Sequence, residues 1–362
     1  MPRDGFELDF LEDSSDPDSL GRLGAYEIRE VIGRGGMGLV LRGHDAKLNR
    51  VVAIKVLAPQ LAASAPARKR FLREARAAAA INHPHVVGIF AIQEDKLPYL
   101  AMEYVDGESL QQKINAAGPL ELKEVLRIGM QIAAGLAAAH EQGLFHRDVK
   151  PSNVLLENGV ERVKLTDFGL ARAADDVSIT RTGEVAGTPE YMSPEQADAG
   201  TVDPRSDLFS LGSVLYAMCT GRSPFRAEST MRAMRRVCED RPRAIQEVNP
   251  DVPRWLAELV EKLLEKEPSE RIQTASEVEE LLGGYLAHVQ DPSGTSLPRP
   301  VFSRRPKRRS RPWLILAATA LVLAGGLGLT EATGVTQLTA TVIRIATGEG
   351  TLVIEVDDPN VE

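Results

Sequence analysis

Cysteine and aromatic residues are scarce in this 362-residue sequence. It contains two cysteines, Cys219 and Cys238, and 5% aromatic residues. Two cysteines supply neither a disulfide framework nor the spacing of a metal site, so we predict free thiols in a reducing compartment. Hydrophobic residues make up 43% of the chain and charged residues 26%, which is typical of soluble globular proteins. The length allows one large domain or two ordinary ones.

An excess of positive charge is also absent. The net charge of −8 argues against nucleic-acid binding, because affinity for polyanions requires clustered Lys and Arg. The N-terminal stretch MPRDGFELDFLEDSSDPDSLG is acidic and lacks the apolar core of a signal peptide. We expect residues 1–25 to form a short disordered acidic leader.

Long apolar runs are missing except for WLILAATALVLAGGLGL, which begins at Trp313 and carries no charge. It could be a buried core helix, but no surrounding domain is available to bury it. We therefore predict a transmembrane helix over residues 313–330. The linker before it, residues 288–312, ends in RRPKRRSRP. This block could be a nucleic-acid patch, but its position next to the apolar run favours the positive-inside anchor of a single span in the cell membrane. The chain before Arg311 would then lie in the cytoplasm and the tail outside.

The last segment, residues 331–362, alternates around TGEG and is predicted to be a β-rich extracytoplasmic hairpin. Such a hairpin is marginal alone, so more chain or a partner is expected there. Ala320, Ala324 and Gly328 lie four residues apart in the predicted span. This stripe of small residues would allow two spans to pack as a homodimer.

Glycines are concentrated in VIGRGGMGLV, where Gly33, Gly35 and Gly38 precede Val40. This spacing occurs in dinucleotide-binding folds, where a helix follows, and in phosphate-covering hairpins. Here two β-like runs around a polar turn follow the glycines. The context therefore predicts a β-hairpin whose glycines let backbone amides close over phosphates.

Lys55 lies in the apolar run VVAIKVL, where an unpaired ammonium group would be unfavourable. A helical stretch, KRFLREARAAAA, follows and carries Glu74. We predict that Glu74 forms an ion pair with Lys55.

Carboxylates, a cation and an amide occur together further along the chain. A segment of helical period over residues 122–140 leads to FHRDVKPSN at 145–153, which contains Asp148, Lys150 and Asn153. A strand-like run with Asp167 follows in VKLTDFGLA. An ordinary polar turn could have this composition, but in this order the groups suit chemistry on a phosphate.

Together these motifs resemble those of eukaryotic-type (Hanks-type) protein kinases, and more narrowly the membrane-anchored, PknB-like bacterial serine/threonine kinases. The phrase GTLVIEVDDP is also similar to a segment of planctomycete-type kinases. The resemblance covers residues 26–286. The motifs that carry it are Gly33-x-Gly35-x-x-Gly38-x-Val40, Val52-Ala53-Ile54-Lys55, His146-Arg147-Asp148-x-Lys150-x-x-Asn153, Asp167-Phe168-Gly169 and Ser193-Pro194-Glu195.

The resemblance implies an α+β, bilobal protein kinase fold. Its β-rich small lobe would span residues 26–105 and its mainly helical large lobe residues 106–287. The activity implied is ATP-dependent phosphorylation of serine and threonine hydroxyls in proteins.

The resemblance also implies catalytic roles. Lys55 would hold the α- and β-phosphates, oriented by Glu74, while Asp148 would accept the proton of the substrate hydroxyl and Lys150 would neutralise the γ-phosphate. Mg²⁺, or Mn²⁺ in its place, would bind to two side chains, Asn153 and Asp167. The residues implied for the ATP site are Ile32, Gly33, Gly35, Gly38, Val40, Ala53, Lys55, Met102, Glu103, Val105, Asn153 and Asp167.

Substrate and regulation follow from the same resemblance. Lys150 is typical of serine/threonine rather than tyrosine kinases, and Thr188 is expected near the catalytic aspartate. Thr180 and Thr182 resemble activation-loop threonines that such kinases phosphorylate on themselves. Asp207 would brace the catalytic loop.

An ion pair between Glu195 and Arg271 is also implied. Departures from the family pattern are few: Ser193 replaces a common alanine, and His85 stands where asparagine is frequent. His83 and His85 could be a metal pair, although a loop after the helix suits the surrounding match better.

Two alternative functions remain at this point. One is a catalytically silent ATP-binding receptor or scaffold, but the catalytic carboxylates Asp148 and Asp167 are intact here, which weighs against it. A small-molecule kinase would generally lack the complete Ser-Pro-Glu segment.

Overall fold

Residues 8–157, 162–168 and 189–298 are described by the computed structural model of this protein. The chain divides into a unit of residues 1–299 and a unit of residues 300–362, and every described residue belongs to the first. The span predicted at 313–330 and the hairpin predicted at 331–362 therefore lie outside the described residues. None of the helices in the described ranges is long and apolar enough to cross a membrane.

The first half of the described chain forms a six-stranded antiparallel sheet with the strand order β1-β2-β3-β4-β6-β5. Strands β3 and β4 pair from Gly38 with Leu57 to Asp45 with Arg50, so the chain after the glycines forms an antiparallel hairpin. The predicted hairpin is confirmed. The strands are β1 Gly21–Leu23, β2 Tyr26–Gly35, β3 Gly38–Asp45, β4 Arg50–Leu57, β5 Ile89–Gln93 and β6 Tyr99–Glu103.

The alternation of side chains along β4 separates the two faces of this sheet. Val52, Ile54 and Val56 are fully buried in the core of the outer face. Leu57 belongs to a second core, which is closed by helix α2 (Ala65–Ala79) and includes Phe71. A short helix, α1 (Pro59–Ala62), leads from β4 into α2.

Residues 8–25 are ordered, so the expectation of a disordered leader is wrong for that stretch. Leu8, Phe10 and Leu11 pack against the outer core of the sheet. Glu12 and Arg22 form a backbone bridge, with N···O distances of 2.8 and 2.7 Å. The prediction was wrong because it rested on the acidic composition and overlooked three apolar side chains, which are partly buried against the sheet.

The second half of the described chain is mainly helical. The apolar face predicted for residues 122–140 is confirmed in α4, where Val125, Ile128, Ile132 and Leu136 are buried. Helix α6 is buried along almost its whole length. The helices are α3 Leu110–Ala117, α4 Leu122–Glu141, α5 Pro194–Ala197, α6 Pro204–Thr220, α7 Thr230–Glu239, α8 Ile245–Val248, α9 Arg254–Leu263 and α10 Ala275–Gln290, with 3-10 turns at Pro151–Asn153, Pro189–Tyr191 and Pro268–Glu270.

A small antiparallel sheet, β7-β8-β9, carries the residues next to the predicted catalytic groups. Its strands are β7 Gly107–Ser109, β8 Val154–Glu157 and β9 Val163–Leu165. Strand β8 follows the loop with Asp148, and β9 precedes Asp167. The described residues thus form a sheet-built small lobe and a helical large lobe, which confirms the bilobal α+β prediction.

Both cysteines are free thiols, as predicted. Cys219 is fully buried in α6, and burial raises the pKa of its thiol to about 12.

Candidate functional site

The glycine-rich turn joins β2 to β3 and lies at the edge of the site. Gly38 has φ +142°, and a Cβ there would lie 1.8 Å from the carbonyl oxygen of Val56, so the fold itself requires glycine. A Cβ on Gly35 would meet no atom within 4 Å. Since no atom of the described residues crowds Gly35, there is room beside it for a ligand. Ile32 is 41% exposed in the same hairpin.

Lys55 pairs with Asp167 rather than with Glu74. Its Nζ lies 2.7 Å from Asp167 Oδ1, and its side chain is 7% exposed. The predicted Lys55–Glu74 ion pair is therefore not formed in this structure. Glu74 lies on a helix, α2, as expected, and is buried there. The carboxylate of Asp167 is the anion that compensates the buried ammonium group.

Asp167 is held as a carboxylate by this neighbour. Burial alone would raise its pKa, but the ammonium group of Lys55 outweighs that effect, so the pKa of Asp167 lies below its ordinary value. Its φ is +67°, a left-handed conformation that is uncommon for a residue other than glycine. Such backbone conformations concentrate at functional sites.

Asp148, Lys150 and Asn153 come together, as predicted. Lys150 Nζ lies 2.7 Å from Asp148 Oδ2. Asn153 Nδ2 donates to the Asp148 carbonyl oxygen at 2.8 Å and to its Oδ2 at 3.0 Å. The 3-10 turn Pro151–Asn153 brings the amide back to the aspartate. A carboxylate with a cation and an amide fixed around it can orient a hydroxyl group and stabilise charge on a phosphate.

Asp207 braces this loop from α6. It is 1% exposed and accepts hydrogen bonds from the backbone N–H groups of His146 (2.8 Å) and Arg147 (2.7 Å). His140 Nε2 is 2.8 Å from the same carboxylate. Arg147 has φ +65°, and Gln196 Nε2 donates to its carbonyl oxygen at 2.7 Å. Sequence reasoning identified Asp207 but missed Gln196, which directly follows the Ser-Pro-Glu motif.

The segment between the lobes contains the residues implied for adenine. Ala53, Met102 and Val87 form a small buried core against which Val40 and Val105 pack. The backbone N–H of Glu103 donates to the carbonyl oxygen of Gly88 at 2.8 Å. These contacts place Ala53, Met102, Val40 and Val105 around one apolar surface.

A narrow apolar pocket continues from this surface toward α2. Its lining includes Met102, Leu100 and Ala78 together with Asp167 and Phe168. The ring of Phe168 packs on His146, with centroids 4.4 Å apart. The apolar surface at Met102 and the polar groups at Asp167 are therefore walls of one cleft.

Asn153 and Asp167 are suited to a divalent cation by the chemistry of their oxygens. The Nδ2 of Asn153 is engaged by Asp148, which directs the Oδ1 of the amide away from that carboxylate. The backbone N–H of Thr166 donates to the Asn153 carbonyl oxygen at 3.1 Å, which connects the two ligand-bearing segments. One carboxylate and one amide oxygen fit the hard ligand set that Mg²⁺ prefers.

The predicted ion pair between Glu195 and Arg271 is present and bidentate, with both N–O distances at 2.7 Å. Ser206 Oγ also donates to Glu195, at 2.5 Å. This pair fixes the end of the Ser-Pro-Glu segment to the large lobe.

The interpretation of His83 and His85 as a loop agrees with the structure. His85 Nδ1 lies 3.1 Å from the carbonyl oxygen of Val163, and its ring contacts that of His83. No cluster of three or more metal-ligating side chains occurs among residues 8–157, 162–168 and 189–298. Thr180, Thr182 and Thr188 lie outside these ranges, so their predicted roles stay predictions.

The ion pair between Glu103 and Lys164 was not predicted either. Lys164 Nζ lies 2.8 Å from Glu103 Oε1 and 2.9 Å from Oε2, and the backbone N–H of Gly88 donates to Oε2 at 3.1 Å. Lys164 lies between Val163 and Leu165, which are both buried. Because side chains alternate along a strand, the sequence could have predicted that Lys164 points to the opposite face.

Comparison with known proteins gives a consistent result. The family model described as "Protein kinase domain" matches residues 26–282. The serine/threonine-protein kinase PrkC of Bacillus subtilis is 41% identical over 258 residues, which are 71% of this chain and 40% of PrkC. The serine/threonine-protein kinase PknB of Mycolicibacterium smegmatis is 41% identical over 260 residues, covering 70% of this chain and 41% of PknB.

Among solved structures, the PknI kinase domain of Mycobacterium tuberculosis superposes with a TM-score of 0.59 at 29% identity. The match covers 72% of this chain and 96% of the PknI kinase domain. The chain spans about 40% of the length of the curated relatives. Its ordered motifs, its bilobal fold and the match over residues 26–282 agree, and the chain belongs to the protein kinase family.

Proposed function

We propose that this protein is a serine/threonine protein kinase that transfers the γ-phosphoryl group of ATP to hydroxyl groups of proteins. The observation that carries this proposal is the arrangement of Lys150 and Asn153 around the carboxylate of Asp148. Relatives at about 40% identity are named as serine/threonine kinases, which supports the substrate class.

The chemistry of the transfer requires positioning and charge neutralisation more than covalent catalysis. Asp148 orients the hydroxyl and accepts its proton as the new P–O bond forms and the bond to the β–γ bridging oxygen breaks, which releases ADP. Lys150 stabilises the charge that develops on the transferred group. A positioned general base typically contributes on the order of 10²–10⁴-fold. An electrostatic contact with the developing charge typically contributes on the order of 10²–10³-fold.

The nucleotide site is proposed to run from the hinge, the segment between the lobes at residues 103–105, to Asp167. Main-chain groups of Glu103 and Val105 would bind adenine, with Ala53, Ile32 and Val40 against its faces. Gly33, Gly35 and Gly38 would cover the phosphates, and Lys55 would hold the α- and β-phosphates, with Glu74 as its partner in the active arrangement.

Asn153 and Asp167 would hold Mg²⁺, or Mn²⁺ in its place. The bound cation supplies charge neutralisation on the phosphates when present.

Regulation and location are part of the proposal. Phosphorylation of Thr180 or Thr182 would raise activity, since a phosphate adds about −1.5 to −2 charges that the guanidinium of Arg147 can bind. Residues 313–330 would anchor the chain in the cell membrane with the kinase domain in the cytoplasm, and two spans could pair as a homodimer.

The proposal is tested by incubating the purified 362-residue chain with ATP and Mg²⁺, wild type beside Asp148→Asn, followed by phosphosite mapping. Phosphate on Thr180 or Thr182 in the wild type alone would establish the activity and its switch together. Intact ATP binding without phosphate in either protein would favour the alternative, a silent ATP-binding scaffold.

A further inference from the structure

An ion pair between Glu103 and Lys164 joins the hinge to β9, the strand before Asp167. Both carboxylate oxygens of Glu103 lie within 2.9 Å of Lys164 Nζ. The Lys164 side chain is 13% exposed and that of Glu103 is 32% exposed. Because the ammonium group is largely withdrawn from water, the pair is screened less than the ion pairs on the outer helices.

Each partner is fixed by its surroundings. Lys164 is the middle residue of β9 and pairs with Leu155 of β8, while Val163 and Leu165 on either side are fully buried. The N–H of Leu165 donates to the carbonyl oxygen of His85 at 2.9 Å. Strand β9 therefore cannot shift along its axis without breaking several contacts.

Glu103 is held to the loop after α2 by both its main chain and its side chain. Its N–H donates to the Gly88 carbonyl oxygen at 2.8 Å, and its carboxylate accepts from the Gly88 N–H at 3.1 Å. The carboxylate is thus shared by a backbone donor of the small lobe and an ammonium group of the large lobe.

The ion pairs Lys55–Asp167 and Glu103–Lys164 both connect the small lobe to the large lobe. The first consists of groups that would bind the phosphates and the cation. The second contains no side chain with such a role. It can therefore persist while the nucleotide is bound.

We propose that Glu103 and Lys164 are positioning residues for the nucleotide, an inference that rests on the proposed function in taking ATP as the ligand. The main chain of Glu103 lies at the adenine end of the cleft, and Lys164 lies three residues before Asp167 at the cation end. The ion pair between them fixes the separation of the two ends.

A double-mutant cycle tests this role on the full chain. Binding of ATP in the presence of Mg²⁺ is measured by calorimetry for the wild type, Glu103→Gln, Lys164→Met and the double variant. Each single variant is expected to bind ATP about tenfold more weakly. The double variant should bind no more weakly than the singles, because losing one partner already removes the interaction.

Kinetic measurements separate positioning from a general loss of structure. The KM for ATP should rise in both single variants by more than kcat falls, since the groups that act on the phosphate are unchanged. Lys164→Arg keeps the charge and should retain most of the affinity.

The pair Lys113–Glu124 provides a matched control. Its atoms are also 2.8 Å apart, its side chains are 23% and 22% exposed, and it joins α3 to α4. Lys113→Met should leave the ATP affinity within about twofold of the wild type.

Unchanged affinity in the Glu103 and Lys164 variants, additive losses in the double variant, or an equal loss in Lys113→Met would each overturn the inference. A wild type that binds ATP but transfers no phosphate would count against the proposed function alone. If the wild type transfers phosphate but the Glu103 and Lys164 variants bind ATP as tightly as the wild type, only the positioning role is contradicted.

Discussion

The ammonium group of Lys55 lies 2.7 Å from the carboxylate of Asp167. These two groups are the proposed ligands of the phosphates and of the cation, and here they neutralise each other. Burial opposes the charge of Asp167, but the ammonium group of Lys55 lowers the pKa of Asp167, so the carboxylate is ionised before a nucleotide arrives.

Removing Lys55 should therefore affect both Asp167 and the proposed contact with the phosphates of ATP. In Lys55→Met we expect loss of phosphoryl transfer by on the order of 10²–10³-fold, because a cation at the phosphates is lost and Asp167 is left uncompensated. Steady-state kinetics on the full chain measures this change. A variant with more than a tenth of wild-type kcat would contradict the assigned role.

The two glycines of the hairpin should respond differently to alanine. Gly38→Ala is expected to destabilise the fold by at least about 1–3 kcal/mol, because the new Cβ would collide with backbone atoms of β4. Gly35→Ala should change the unfolding free energy by no more than about 1 kcal/mol and should mainly weaken ATP binding. Urea denaturation and calorimetry distinguish the two effects, and equal stability losses would show the distinction to be wrong.

Asp207→Asn should loosen the catalytic loop. The backbone N–H groups of His146 and Arg147 each donate to one oxygen of Asp207, and in asparagine an NH₂ group would replace one of these oxygens. One donor would then lose its acceptor, so we expect the unfolding free energy to fall by roughly 1–3 kcal/mol and kcat to fall as well. Asp203 caps the same helix and is the control, because asparagine is about as good an N-cap as aspartate. Equal effects of Asp203→Asn and Asp207→Asn would argue against the bracing role.

The pair of Glu195 and Arg271 should govern part of the acid sensitivity. Burial would raise the pKa of Glu195, but hydrogen bonds from Arg271 and Ser206 more than offset it, so the pKa lies below its ordinary value of 4.5. The unfolded state then binds more protons as the pH falls below 4.5, so the stability from this pair is complete above that pH and is lost below it.

Arg271→Met should remove this contribution and destabilise the protein by about 3–5 kcal/mol, because a largely buried carboxylate loses its partner. Arg254→Met removes an exposed helical pair and should cost no more than about 0.5 kcal/mol. Denaturation at several pH values measures both. An unchanged acid slope in Arg271→Met would refute the assignment.

Much of the fold follows from local pattern. The apolar period of α4 and the glycine hairpin were predicted because a helix and a hairpin each depend on residues close in sequence. The partner of Lys55 could not be chosen in this way, since Glu74 and Asp167 are both distant in sequence. Their positions depend on how α2 and β9 pack. The contact between Glu103 and Lys164 is of the same non-local kind.

The N-terminal segment shows a related limit. The family match begins at Tyr26, whereas Leu8, Phe10 and Leu11 already pack against the core of the sheet. The packed part of the small lobe therefore extends beyond the residues that the family model matches. A protein begun at residue 26 would expose part of the apolar core that Leu8, Phe10 and Leu11 cover, and we expect it to self-associate through that patch.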